Sequence, residues 1–281
     1  MTTTAIAAPP EVRYDEIFRR ASLEPKAREL AARYFAKASF DALRPLNEVA
    51  GMRGSDVGAC SLEFAAKKAG LGTLEHDVDT QIMFDGGHFW GAWFASLLKA
   101  AAQIGEGLWP DPRPRAVLCE YDIAFKGVPG HIDALVDWAE WCVEPVEFKT
   151  LKGTGKIEAP DTKRGGRLYQ CLQAGLYANG LNEMAQRIVA PRFTLVYHAP
   201  NAGKTKQGVP YRRTDQFEYE TSHFTDLVEK EIARLQALAN LSRDEIFARM
   251  DELADTTDGY RCGGCAFAEC PRNVNPQRLI I

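Results

Sequence analysis

The stretch GHIDALVDWAEWCVEPVEFKT, residues 130–150, decides how this 281-residue chain is read. Val, Ile, Leu, Phe and Trp dominate it around a short polar turn, so Gly130–Trp138 and Cys142–Leu151 are predicted strands. Alternate strand residues share a face, which puts Glu147 and Lys149 on one side and Phe148 on the other, toward packing. Thirteen residues separate Asp133 from Glu147, enough for a hairpin that brings Asp133 alongside. Two carboxylates and one ammonium thus converge on strands that are otherwise apolar, where charges need a reason to be buried. Oxygen ligands of this kind suit a hard divalent cation, Mg²⁺ or Mn²⁺. Such an ion polarises a phosphodiester and acidifies an attacking water, while Lys149 orients that water or offsets developing negative charge.

Outward from this hairpin, Arg115–Phe125 reads as a further strand, completing an antiparallel meander. Upstream, Ile17, Leu30 and Tyr34 fall at helical spacing and predict one or two helices over Tyr14–Phe40, with Pro25 in the first turn of the second. Met52–Gly70 reads as a loop bearing Cys60 and then a short helix. Gly86–Ile104 reads as an apolar helix capped by Asp85. Downstream, Arg167–Gly180 is a predicted helix stopped at Asn179-Gly180, followed by strands Arg192–His198 and Gln216–Thr221 and a long helix Phe224–Leu253. The order points to one mixed α/β core with a helical flank. It predicts a single domain over 1–281, with a core at 86–221 and a disordered start over 1–10.

Gly130-His131-Ile132-Asp133, Glu147-Phe148-Lys149 and Gln173-Ala-Gly-Leu-Tyr177 stand in the order of G-x-x-D, E-x-K and Q-x-x-x-Y motifs. In this the chain resembles the PD-(D/E)XK nuclease superfamily, and within it the RecB-like branch. That branch also carries a histidine on an upstream helix, which lines up with His88 in GGHFWGAWF. The resemblance covers about His88 to Tyr177 and implies a central mixed β-sheet flanked by helices. It implies that His88, Asp133, Glu147 and the backbone carbonyl of Phe148 bind the Mg²⁺ or Mn²⁺ ion, with Lys149 as the catalytic lysine. It also implies that Gln173 and Tyr177, four apart on one helix face, contact the DNA backbone or brace the site. Glu120, on the preceding strand, is a further candidate for a second metal or a held water. The strand before the hairpin lacks a plain Pro-Asp pair, as is usual for this branch.

Near the other end the chain reads Cys262-Gly-Gly-Cys265-Ala-Phe-Ala-Glu-Cys270-Pro, which is ligand spacing. Of the remaining cysteines, Cys119, Cys142 and Cys171 fall within predicted strands or a helix, where Cys behaves as a small hydrophobe. Cys60 lies in an irregular segment and is the best fourth ligand. Some RecB-like nucleases, including the AddB-type and CRISPR-adaptation nucleases, hold a [4Fe–4S] cluster with one N-terminal and three C-terminal cysteines. The resemblance implies the same for Cys60, Cys262, Cys265 and Cys270. Structural zinc is the alternative for four thiolates.

The chain has 34 Lys and Arg against 38 Asp and Glu, a net charge of −4, which as an even spread argues against a nucleic-acid partner. The spread is uneven. Lys152, Lys156, Lys163, Arg164 and Arg167 crowd one Gly-rich loop beside Lys149, and Lys204, Lys206, Arg212 and Arg213 another, which suits phosphate tracking. A composition of 46% hydrophobic and 26% charged residues excludes a disordered or collagen-like chain. No window approaches the ~20 apolar residues of a membrane span. The start MTTTAIAAPP lacks signal-peptide features, so the expected location is the cytoplasm of a bacterial or phage-infected cell. No G-x-x-x-x-G-K-[ST] motor motif occurs, so the protein acts alone or with a separate recombination or helicase protein. The expected activity is a metal-dependent DNA exonuclease working on single strands or duplex ends in recombination, replication or phage DNA processing. The alternatives are a non-catalytic DNA-binding or scaffold module of the same fold and a restriction-type endonuclease.

Overall fold

The computed structural model describes residues 11–41, 52–71, 78–105, 107–139, 142–151, 168–184, 188–204, 210–254, 267 and 270–271. The meander forms as its apolar pattern predicts: β1 (Ala116–Phe125), β2 (Val128–Asp137) and β3 (Val143–Thr150) pair antiparallel in sequence order. The chain then crosses over through α5 (Leu168–Met184), and β4 (Arg192–Lys204) pairs parallel to β3, as a helical crossover requires. β5 (Pro210–Glu220) closes a five-stranded sheet ordered β1-β2-β3-β4-β5.

Alternation on the strands feeds two apolar layers. On one face α1 (Tyr14–Leu23), α2 (Pro25–Asp41) and α4 (Val78–Ile104) bury Phe18, Phe94 and Leu98 against Val136, Val146, Phe148 and Val196. On the other, α3 (Ser61–Lys68), α5 and α6 (Ser222–Ala239) bury Phe64, Leu176 and Val228 with Leu135, Phe193, Leu195 and Tyr197. Pro25 opens α2, where a missing backbone N–H costs nothing.

The hairpin β1–β2 changes layer midway. Cys119 pairs with Ala134 and Tyr121 with Ile132, but Glu120, at φ +51°, makes no ladder pair with Asp133. Val117 and Ala134 belong to the α4 layer, whereas Ile123 and Ile132, of the same parity on their strands, belong to the α5 layer. Strict alternation is thus broken at Glu120 and Asp133. A left-handed backbone at a non-glycine residue costs about 1–2 kcal/mol, which the packing of both halves must offset.

Five expected elements differ from those observed. β4 runs six residues past His198 and β5 begins six residues before Gln216, so Lys204, Arg212 and Arg213 stand on strands and not in a loop. α4 begins at Val78, eight residues before the expected start, so Asp85 lies inside the helix and not at its N-terminus. α5 runs through Asn179-Gly180 to Met184. Asn179 is consumed by the helix itself, donating to the Gly175 carbonyl at 2.7 Å and accepting from Thr225 at 2.9 Å. Gly180 is there for close approach: a Cβ would lie 2.8 Å from the Ala124 carbonyl oxygen on β1. Gly180→Ala should therefore destabilise the fold by about 1–3 kcal/mol despite better helix propensity, measured as a lower urea midpoint at unchanged slope. The long helix expected over Phe224–Leu253 is α6, α7 (Arg243–Ala248) and α8 (Met250–Leu253). The break is a capping box in which the Ser242 hydroxyl accepts from the Glu245 N–H and Glu245 accepts from the Ser242 N–H. Among the described residues, no helix is long and apolar enough to cross a membrane.

Candidate active site

Extending the β2–β3 register by one step places Asp133 opposite Glu147, on the α5 side of the sheet. Instead of a ladder bond, the Phe148 N–H donates to Asp133 Oδ2 at 2.7 Å. Lys149, two residues beyond Glu147 on the same face, donates from Nζ to Glu147 Oε1 at 2.6 Å and to Gln173 Oε1 at 3.0 Å. Gln173 Nε2 donates onward to the Tyr177 hydroxyl at 2.7 Å. The lysine fixes which end of the amide faces it, because an ammonium has only donors and needs the carbonyl. The Tyr177 ring fills a slot walled by two glycines: a Cβ at Gly54 or Gly130 would lie 2.4 or 2.2 Å from its Cε1. Gly130 of the G-x-x-D motif is therefore a spacer for the tyrosine of the Q-x-x-x-Y motif.

Burial sets the electrostatics. It pushes the Glu147 carboxyl up to about 7, with Asp133 adding to the effect and Lys149 opposing it. It pushes Asp133 up to about 6, against Lys149 and the Phe148 N–H and with help from Glu120. Glu120 is exposed on β1, and partial desolvation and then Glu147 raise it to about 7. Burial works to lower the Lys149 ammonium, but Glu147 and Asp133 outweigh it and hold the group above its ordinary value. One lysine thus faces three carboxyls that resist ionising together. That excess of acid is what a divalent cation relieves.

From the opposite layer α4 approaches this end of the sheet with glycine: built Cβ atoms at Gly91 and Gly87 would make ordinary contacts of 3.6 Å with Asp133 Oδ1 and 3.9 Å with Thr150 Oγ1. His88 lies between these glycines in sequence and is exposed. Among the described residues, no three His, Cys, Asp or Glu side chains stand close enough together to hold a metal ion.

A family model describing the PD-(D/E)XK nuclease superfamily matches residues 54–270. The chain belongs to the PD-(D/E)XK nuclease superfamily. The five-stranded mixed sheet flanked by helices is consistent with that membership, which makes the protein one of a family of nucleases. No curated protein matches the chain. Among solved structures it is similar to the crystal structure of SSO0001, at 14% identity over 88% of this chain and 98% of that one, with a TM-score of 0.42. A likeness of that degree adds nothing to the family assignment.

Of the residues singled out in this PD-(D/E)XK chain, the structure joins Asp133, Glu147, Lys149, Gln173 and Tyr177 in one chain of contacts and brings Glu120 within electrostatic reach. Lys152, Lys156, Lys163, Arg164, Cys262 and Cys265 lie outside the described residues. Cys60 is buried as the residue before α3, and Cys270 is half-buried against the same apolar layer. The sequence carries no signal for Gly54 or Gly130 as spacers, because the Tyr177 ring they admit comes from a helix far along the chain.

Proposed function

We propose that this chain is a Mg²⁺- or Mn²⁺-dependent DNA exonuclease of the RecB-like branch, serving recombination, replication or phage DNA processing. The observation that carries the reading is the convergence of Asp133, Glu147 and Lys149 at the carboxylate-bearing bend of the hairpin. The donor set suits a hard cation: the Asp133 and Glu147 carboxylates outnumber the single ammonium beside them. Asp133, Glu147 and the Phe148 carbonyl would hold the ion, with His88 and Glu120 as outer candidates. When bound, the ion supplies a Lewis acid for the phosphodiester and lowers the pKa of a water. Lys149 orients the attacking water and offsets charge at the phosphorus, Gln173 aims the ammonium, and Tyr177 backs Gln173. Lys152, Lys156, Lys163 and Arg164 would track the DNA backbone.

The reading includes a [4Fe–4S] cluster on Cys60, Cys262, Cys265 and Cys270, with zinc as the competing occupant, and a single domain over 1–281. It is supported by Cys60, Leu253, Phe267 and Cys270 sharing one apolar layer, with Cys60 Sγ 3.8 Å from the Leu253 carbonyl. Iron and sulfide in anaerobically purified protein, lost in Cys60→Ala, would support the cluster, and stoichiometric zinc would refute it.

The nuclease is tested with end-labelled single- and double-stranded DNA beside a closed circular substrate. Release of label with Mn²⁺ or Mg²⁺, blocked by EDTA and absent on circles, is expected. Cutting of circles would replace the exonuclease with an endonuclease, and inertness toward every substrate would refute the nuclease.

A further inference from the structure

α6 carries a charged pair that reaches far from the carboxylates. Arg234 donates from Nε and Nη2 to the Glu231 carboxylate at 2.8 and 2.6 Å. A fork held at two points presents its other N–H groups in fixed directions. Nη2 also donates to the Ala59 carbonyl at 2.8 Å, and Nη1 donates to the Ser61 hydroxyl. Glu231 in turn accepts the Gly58 N–H at 2.7 Å. Residues on both sides of Cys60 are thereby pinned to α6, whatever that thiol ligates.

From this anchor the chain runs back along α5. Gly58, at φ +76°, lies so close to Tyr169 that a Cβ would stand 2.4 Å from the tyrosine Cβ, and Gly54 lies as close to the Tyr177 ring. Tyr169, Gln173 and Tyr177 follow one another at four-residue spacing on one face of α5. The segment therefore presses that face on either side of the glutamine that holds Lys149. Its far end is closed by Asp56, which accepts the Arg53 N–H at 2.9 Å and meets Lys67 Nζ at 3.3 Å.

We propose that Arg234 is a positioning residue for Lys149: by pinning Gly58–Ser61 to α6 it holds residues 54–60 as a brace against Tyr169 and Tyr177, and the brace sets where Gln173 presents its carbonyl. What Lys149 then does rests on the nuclease reading above, but the brace itself does not.

The experiment is a double-mutant cycle on the full chain with Arg234→Ala, Gln173→Ala and both together. Arg249→Ala, which breaks an exposed ion pair with Glu252 elsewhere on the surface, is the control. Arg234→Ala should lower kcat by ~10-fold with the KM for DNA within about twofold, since small misplacements of a catalytic group are expensive. Combined with Gln173→Ala it should add almost nothing, because both changes release the same ammonium. Independent losses that multiply, or a loss confined to KM, overturn the proposal. Arg234→Lys, which keeps the charge and loses the fork, should fall between wild type and Ala, and it carries the same cycle if the Ala variant does not fold. Hydrogen exchange gives a readout independent of cleavage. Peptides from 54–61 and from 168–184 should exchange faster in the Arg234 variants while the rest of the molecule is unchanged, and a rise confined to 54–61 or spread uniformly counts against the brace. If wild type cuts no DNA the nuclease reading fails, and exchange of 168–184 alone decides the brace.

Discussion

Lys149→Ala is expected to lower single-turnover DNA cleavage by about 10²–10³-fold or more at saturating Mn²⁺ while leaving the ion bound. The ammonium has only donors and is itself no metal ligand; it faces Glu147 and the Gln173 carbonyl. Its removal takes away the one positive charge among three carboxyls, so the field at the site becomes more negative. Metal affinity should therefore hold or tighten as catalysis collapses, a split that loss of a ligand cannot produce. Lys149→Arg should not rescue the rate, because a planar fork cannot occupy the position of a compact ammonium between Glu147 and Gln173. The apo protein should pay as well, since Glu147 is left buried beside Asp133 without its partner. Mn²⁺ titration by calorimetry, run beside single-turnover cleavage, separates the two effects. Substantial activity in Lys149→Ala would remove this lysine from the mechanism.

The part of this site that could be read from the sequence is the part governed by strand parity. Glu147 and Lys149 share a face because they are two apart, and Asp133 joins them because the hairpin is long enough to fold back. Gln173 and Tyr177 share a face for the corresponding helical reason, and the hydrogen-bond relay from Lys149 through Gln173 to Tyr177 forms once α5 is laid on the sheet. What could not be read depends on contacts between distant segments. The left-handed backbone at Glu120 flips the hairpin between layers, and nothing in a run of strand-forming residues announces it. Gly180 looks like a helix stop until β1 is seen passing 2.8 Å from where its Cβ would be. The Ser242–Glu245 capping box is written in the sequence, but apolar spacing continues across it and predicts one long helix.

Asp133→Asn should abolish metal-dependent cleavage and yet make the metal-free protein more stable at neutral pH. The Asp133 carboxyl has a pKa of about 6 in the fold against an ordinary 3.8, chiefly because burial penalises the charged form. The folded state thus holds the proton more tightly than the unfolded one, and this group's contribution to stability declines as pH rises from about 4 through 6. Asn keeps an oxygen for the Phe148 N–H, carries no charge to desolvate, and relieves the repulsion that raises Glu147. A shift of just over two pKa units bounds the gain at roughly 3 kcal/mol, and relaxation with partial solvent access leaves about 1–2 kcal/mol. The difference between variant and wild type should be near zero at pH 4, grow through pH 6 and level off by pH 7–8. Saturating Mn²⁺ should reverse the order, because only wild type gains the binding free energy of the ion. Denaturant melts of both proteins at three pH values, with and without Mn²⁺, measure all of this. An Asn variant that is less stable than wild type at pH 8 without metal would mean that Asp133 is a structural carboxylate, held for the fold and not for an ion.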